Sequence, residues 1–128
     1  MQTAAGPTHI LIDFIVEDAR LLRSARPAVD HLREAVLAGG ATILFEHVHQ
    51  FEPGGFSGIL LLAQSHASIH TWIEDRLVSI DVFACGPIDV DAVITTLRDR
   101  FRPKAERIER RTRGVSDQPP FKRSPSAA

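Results

Sequence analysis

Four apolar segments crowd into residues 41–85, and only turn-length connections separate them. Residues 41–51 (ATILFEHVHQF) are rich in β-branched and aromatic side chains, and Glu52-Pro53-Gly54-Gly55 ends them with strong turn chemistry. Residues 56–63 (FSGILLLA) follow at once. Residues 67–72 and 77–85 read as two more strands, separated by the polar tip Glu74-Asp75-Arg76 and stopped by Gly86-Pro87. Strands joined this closely pair antiparallel, because a parallel return needs a crossover of about a dozen residues or more.

The flanking sequence supplies helices to cover such a sheet. Residues 9–16 (HILIDFIV) suit a buried strand whose one charge is Asp13. In residues 26–37, Ala28, Val29, Leu32, Ala35 and Val36 recur at helical spacing, with Pro27 in the first turn and Gly39-Gly40 as the stop. Asp89 or Asp91 can cap a helix over 90–101, with Val90, Val93, Ile94, Leu97 and Phe101 on its apolar face. Residues 104–113 (KAERIERRTR) are expected as an edge strand with Ile108 inward, a solvated charged segment being the other reading. The order β-α-β-β-β-β-α-β implies an α+β domain, a two-layer α/β sandwich with a mainly antiparallel sheet and helices on one face. The domain is expected over 1–114, followed by a Pro- and Ser-rich disordered tail at 115–128.

With 15 basic and 16 acidic residues the formal charge is -1, so no global field favours nucleic acid or an anionic membrane. The basic residues at 107–113 lack the interleaved aromatics of a nucleic-acid surface. The single cysteine, Cys85, allows no intramolecular disulfide and fits a reducing compartment, the cytoplasm. MQTAAGPTHILIDFIV has no basic n-region, and its apolar run is too short for a signal peptide or a membrane span. A chain of 128 residues buries a limited fraction of its surface, which makes a partner subunit plausible.

Residues 61–72, LLAQSHASIHTW, carry the strongest hint of chemistry. In a strand Ala67, Ile69, Thr71 and Ile73 form the apolar face, while His66, Ser68, His70 and Trp72 share the other. Two imidazoles, a hydroxyl and an indole together suggest a pocket rather than a solvated face. On the next strand Ser79, Asp81, Phe83 and Cys85 likewise share a face. His47 with His49, and His66 with His70, also share faces, but without CxxC, HExxH or a matching acid no metal is expected. Ser65 with His70 as a hydrolase pair lacks the GxSxG elbow, and Cys85 with a histidine as a thiol catalyst competes with a plain buried cysteine. Spacing alone reaches a small-molecule site on a sheet face.

The ungapped run FEPGGFSGILLLAQSHASIHTWIEDRLVSIDVFACG, residues 51–86, resembles the prokaryotic S-adenosylmethionine decarboxylase proenzymes, whose pattern is close to FEPxGxSGxxxLxESHxSxHTWPE followed by a strand ending DVFxCG. The resemblance implies a pyruvoyl-dependent decarboxylase of polyamine (spermidine) biosynthesis that cleaves its own chain between Gln64 and Ser65. Ser65 attacks the Gln64 carbonyl, the peptide shifts to an ester, and β-elimination leaves a pyruvoyl group at position 65. That ketone takes up the substrate amine and serves as an electron sink. By position, His70 is the proton carrier of processing, Ser57 assists it, and Cys85 returns a proton to the substrate α-carbon. Phe51 stacks on the adenine, Glu74 holds the ribose hydroxyls, and Gln64 borders the substrate. A homodimer of processed protomers, with sites near the interface, is also implied. Three departures stand out: Gln64 where the family has Glu, Ile73 where it has Pro, and DFIVED at 13–18 in place of a Gly-Cys pair. They leave two alternatives: a homologous decarboxylase of arginine or ornithine, and an unprocessed binding homologue.

Overall fold

A computed structural model describes residues 6–115. Its elements are β1 (Thr8–Ile15), α1 (Arg20–Arg23), α2 (Ala25–Ala38), β2 (Ile43–Gln50), β3 (Phe56–Leu62), β4 (Ser65–Trp72), β5 (Leu77–Ala84), α3 (Val90–Phe101) and β6 (Ala105–Thr112). The six strands form one sheet in the order β2-β3-β4-β5-β1-β6, and every neighbouring pair is antiparallel. The four central segments make a meander, and β1 closes its far side between β5 and β6. The disordered tail expected at 115–128 lies outside the described residues save for Val115.

Strand alternation builds the core. Ile10, Ile12 and Phe14 of β1, Leu60 and Leu62 of β3, Ala67 and Ile69 of β4, and Val78, Ile80 and Val82 of β5 are all buried on one face. Against them lie Val29, Leu32 and Val36 of α2 and Val93, Leu97 and Phe101 of α3. At Gly58 α2 packs closely on the sheet: a Cβ there would stand 3.3 Å from Ile69 Cγ2 and 3.4 Å from Val29 Cγ2. Among the described residues the opposite face has no helical cover, and Phe45, Ile59, Leu61 and Trp72 are exposed large apolar residues there. The two-layer α/β sandwich with helices on one face is therefore the architecture observed.

Local chemistry explains the boundaries. Arg26, before Pro27, is extended at φ -106° and ψ 133°, so the regular turns of α2 begin at the proline. The Asp89 carboxylate accepts from the Ala92 N–H at 3.1 Å and caps α3, while Arg102 ends that helix in the left-handed conformation. Residues 105–112 are an edge strand paired along their whole length with β1, and Ile108 stands opposite Ile12. Their arginines pair locally: Arg110 with Asp91 and Arg111 with Glu109. The sequence did not announce α1, a four-residue helix with no room for a periodic pattern.

Candidate active site

Ser65 opens β4 immediately after a two-residue turn formed by Ala63 and Gln64, with Leu62 directly opposite it. Gln64 holds φ at +62°, a left-handed conformation disfavoured for a residue with a side chain. Among the described residues Ser65 is the one polar residue in the buried class, at 5% exposure. Its Oγ accepts a hydrogen bond from the Cys85 backbone N–H at 2.9 Å, which ties the tip of the β3–β4 hairpin to the end of β5. The accepted bond fixes the oxygen and leaves its own O–H free to donate. Gln64, Ser65 and Cys85 thus form one cluster.

The second cluster lies at the other end of the same strands. Ser57 of β3 stands opposite His70 of β4, and Ser57 Oγ lies 2.7 Å from His70 Nδ1. A cleft of about 510 Å³ opens beside them, lined among others by Arg23, Phe51, Trp72 and Glu74. Phe51 leaves β2 half exposed, its ring in edge contact with His49 at 4.6 Å. Glu74 sits in the β4–β5 turn.

Two side chains shape this cleft from underneath. The Gln50 amide donates to the Arg23 carbonyl at 2.6 Å and the Gly55 carbonyl at 2.8 Å, and its oxygen accepts from the Ala25 N–H at 3.0 Å. The Thr71 hydroxyl donates to the Leu22 carbonyl at 2.7 Å. Together they pin α1 against the sheet and deliver Arg23 to the cleft wall. Sequence reading missed Gln50 and Arg23; a polar residue ending a strand just before a Pro-Gly turn was the available signal for the first, and none marked the second.

The structure separates what the sequence had grouped. Ser65 and His70 are five residues apart on one extended strand, about 16 Å at ~3.3 Å per residue. Five is also odd: Ser65 points to the helical side and His70 to the open side, the face it shares with His66, Ser68 and Trp72. Within one chain, then, His70 and Ser57 do not reach Ser65, and Gln64 does not line the Phe51–Glu74 cleft. Among the described residues no group of three His, Cys, Asp or Glu side chains is placed to hold a metal ion, and no helix is long and apolar enough to cross a membrane. The main electrostatic perturbation on the neighbouring strand is Glu46: burial pushes its carboxyl up, but pairing with Arg26 and Arg33 more than reverses this and leaves it below the ordinary glutamate value.

A half-open α/β sandwich with a serine at a strained turn and a second polar cluster beside a ligand-sized cleft defines an enzyme scaffold with its chemistry on the sheet. Residues 8–114 match the family model described as S-adenosylmethionine decarboxylase, and the chain belongs to that family. It is 37% identical over 115 residues to the S-adenosylmethionine decarboxylase proenzyme of Thermoplasma acidophilum, covering 89% of this chain and 87% of the relative. The proenzyme of that name from Thermomicrobium roseum is 40% identical over 109 residues, covering 84% of this chain and 92% of the relative. Among solved structures, the adenosylmethionine decarboxylase of Aquifex aeolicus superposes with a TM-score of 0.78 at 32% identity, covering 90% of this chain and 94% of the other.

Proposed function

We propose that this chain is a cytoplasmic proenzyme that cleaves itself between Gln64 and Ser65 and then decarboxylates S-adenosylmethionine, yielding carbon dioxide and the aminopropyl donor for spermidine. The observation that carries the reading is the hydrogen bond from the Cys85 N–H to the Ser65 hydroxyl: one contact joins the serine that would become the ketone to the residue that would return the proton.

Self-cleavage follows from the chain's own residues. The Ser65 oxygen attacks the Gln64 carbonyl carbon, the Gln64–Ser65 C–N bond breaks as the ester forms, and the amine takes up the hydroxyl proton. Loss of the α-proton of residue 65 then expels Gln64 as a carboxylate. The resulting enamine takes up water and releases ammonia, leaving the keto group. The left-handed Gln64 favours the first step, since its backbone restriction is relieved once the peptide is broken. The attacked carbonyl belongs to the backbone, so glutamine in place of glutamate does not prevent attack.

The buried setting of Ser65 suits a keto group, which would be held by the hairpin tip and the Cys85 backbone, away from bulk water. That group supplies an electron sink for the departure of carbon dioxide. Cys85 donates the replacing proton from its thiol. Phe51 offers a flat face to the adenine and Glu74 a carboxylate to the ribose hydroxyls.

The 16 Å gap between the two clusters is closed in this reading by a second copy. Two chains packed open face to open face about a two-fold axis would cover Phe45, Ile59, Leu61 and Trp72 and set the Ser65–Cys85 end of one against the Ser57–His70 cleft of the other. The intact masses of the purified protein test the reading: fragments 1–64 and 65–128 are expected, and a single uncleaved chain favours a binding homologue instead.

A further inference from the structure

Gln50 ends β2 with an amide whose two protons are both in use. Its nitrogen donates to the Arg23 carbonyl at 2.6 Å and the Gly55 carbonyl at 2.8 Å, while its oxygen accepts from the Ala25 N–H at 3.0 Å. The backbone adds to the same knot: the Phe51 N–H donates to the Gly55 carbonyl at 2.8 Å, and the Gly55 N–H to the Arg23 carbonyl at 2.9 Å. Five hydrogen bonds therefore tie residues 50–55 together and to the α1–α2 junction, and the Gln50 side chain makes three of them. Left to itself this loop would be loose, because Gly54 and Gly55 carry more backbone freedom than other residues, and Gly55 sits at φ +94°. The next residue is anchored separately, since the Phe56 N–H donates to the Thr71 hydroxyl at 3.2 Å.

The loop carries Phe51, whose ring lines the cleft. That ring is 47% exposed and meets His49 edge-on at 4.6 Å, so burial in the core does not hold its direction. Its backbone has to. We propose that Gln50 is a positioning residue for Phe51: by closing the loop onto the α1–α2 junction it fixes the backbone from which the ring reaches a nucleoside. The role is specific to an amide. Glutamate has the same shape and could still accept from Ala25, but it would set a carboxylate oxygen against the carbonyls of Arg23 and Gly55, which have no proton to give. A ring already in place loses less freedom on binding than a mobile one, so fixing it strengthens its hold on the base. The inference rests on the reading of the cleft as a nucleoside site.

The test has two arms, each comparing the natural protein with Gln50→Glu. Amide hydrogen exchange reads the loop without any ligand: the Phe51 and Gly55 N–H groups are expected to lose protection in the variant while the β4–β5 ladder keeps its own. Protection retained at both amides would overturn the proposal, whether or not the cleft takes a nucleoside. Calorimetry with adenosine, which offers the base and the ribose and has no carboxyl group to lose, reads the site at a temperature where both proteins are folded. Gln50→Glu is expected to weaken binding by about threefold to fivefold, up to the cost of Phe51→Ala, and to add less than about twofold in a Phe51→Ala background, because its effect passes through that ring. A lower unfolding temperature with unchanged affinity would mark a merely structural glutamine, and equal losses in both backgrounds would mark one that acts elsewhere in the cleft; either result overturns the proposal. If the natural protein does not bind adenosine, the nucleoside reading falls and the exchange arm alone decides.

Discussion

Replacing Ile59 by lysine tests the assembly of the site. Ile59 is 45% exposed on the open face, so in one isolated chain the substitution removes little packing and changes stability by about 0.5 kcal/mol or less. In a face-to-face dimer the cost is larger. Full burial of such a side chain is worth about 2 kcal/mol, so covering its exposed half contributes roughly 1 kcal/mol, and lysine forfeits that. It also strands an ammonium group against apolar neighbours, at several kcal/mol. A two-fold axis counts both terms twice, for a total of about 6 kcal/mol or more, a weakening of about 10⁴-fold. Sedimentation of Ile59→Lys is expected to show monomer at concentrations where the natural protein is a dimer, with an unchanged circular dichroism spectrum. Self-cleavage should fail in the same samples, since Ser65 and His70 would no longer share a site. A monomer that still cleaves at the natural rate would refute the two-chain site.

Three further outcomes follow from individual contacts. Phe51→Ala should raise KM about fivefold with a smaller effect on kcat, because a stacking surface worth about 1 kcal/mol holds substrate and transition state alike; steady-state kinetics of the cleaved enzyme check this. Gly58→Val places methyl groups where a Cβ already meets Ile69 and Val29, and thermal unfolding should show a loss of about 1–3 kcal/mol. Glu46 is held below its ordinary value of 4.5, so its pairing stabilises the fold above that pH and is lost as pH falls through the depressed value; Glu46→Gln should flatten the acid limb of the stability profile.

The parts of the fold that were legible in sequence are those where a period and a stop coincide. β4 was readable to its faces because alternation forces His66, Ser68, His70 and Trp72 to one side. α3 was readable because Asp89 caps a helical pattern. α1 was not, since four residues express no period, and with it went Arg23 on the cleft wall. The separation of Ser65 from His70 was available in principle, because an odd offset along a strand always divides two residues between faces. The resemblance had joined them by role, and role does not say which chain supplies the partner.

The central claim concerns one peptide bond. Intact mass measurement of the natural chain beside Ser65→Ala tests it most directly: the natural protein should give fragment 1–64 and a fragment 65–128 lighter than its encoded mass by the conversion of serine to a keto group, while Ser65→Ala should remain whole. An unbroken natural chain, or a second fragment that still begins with serine, would contradict the account.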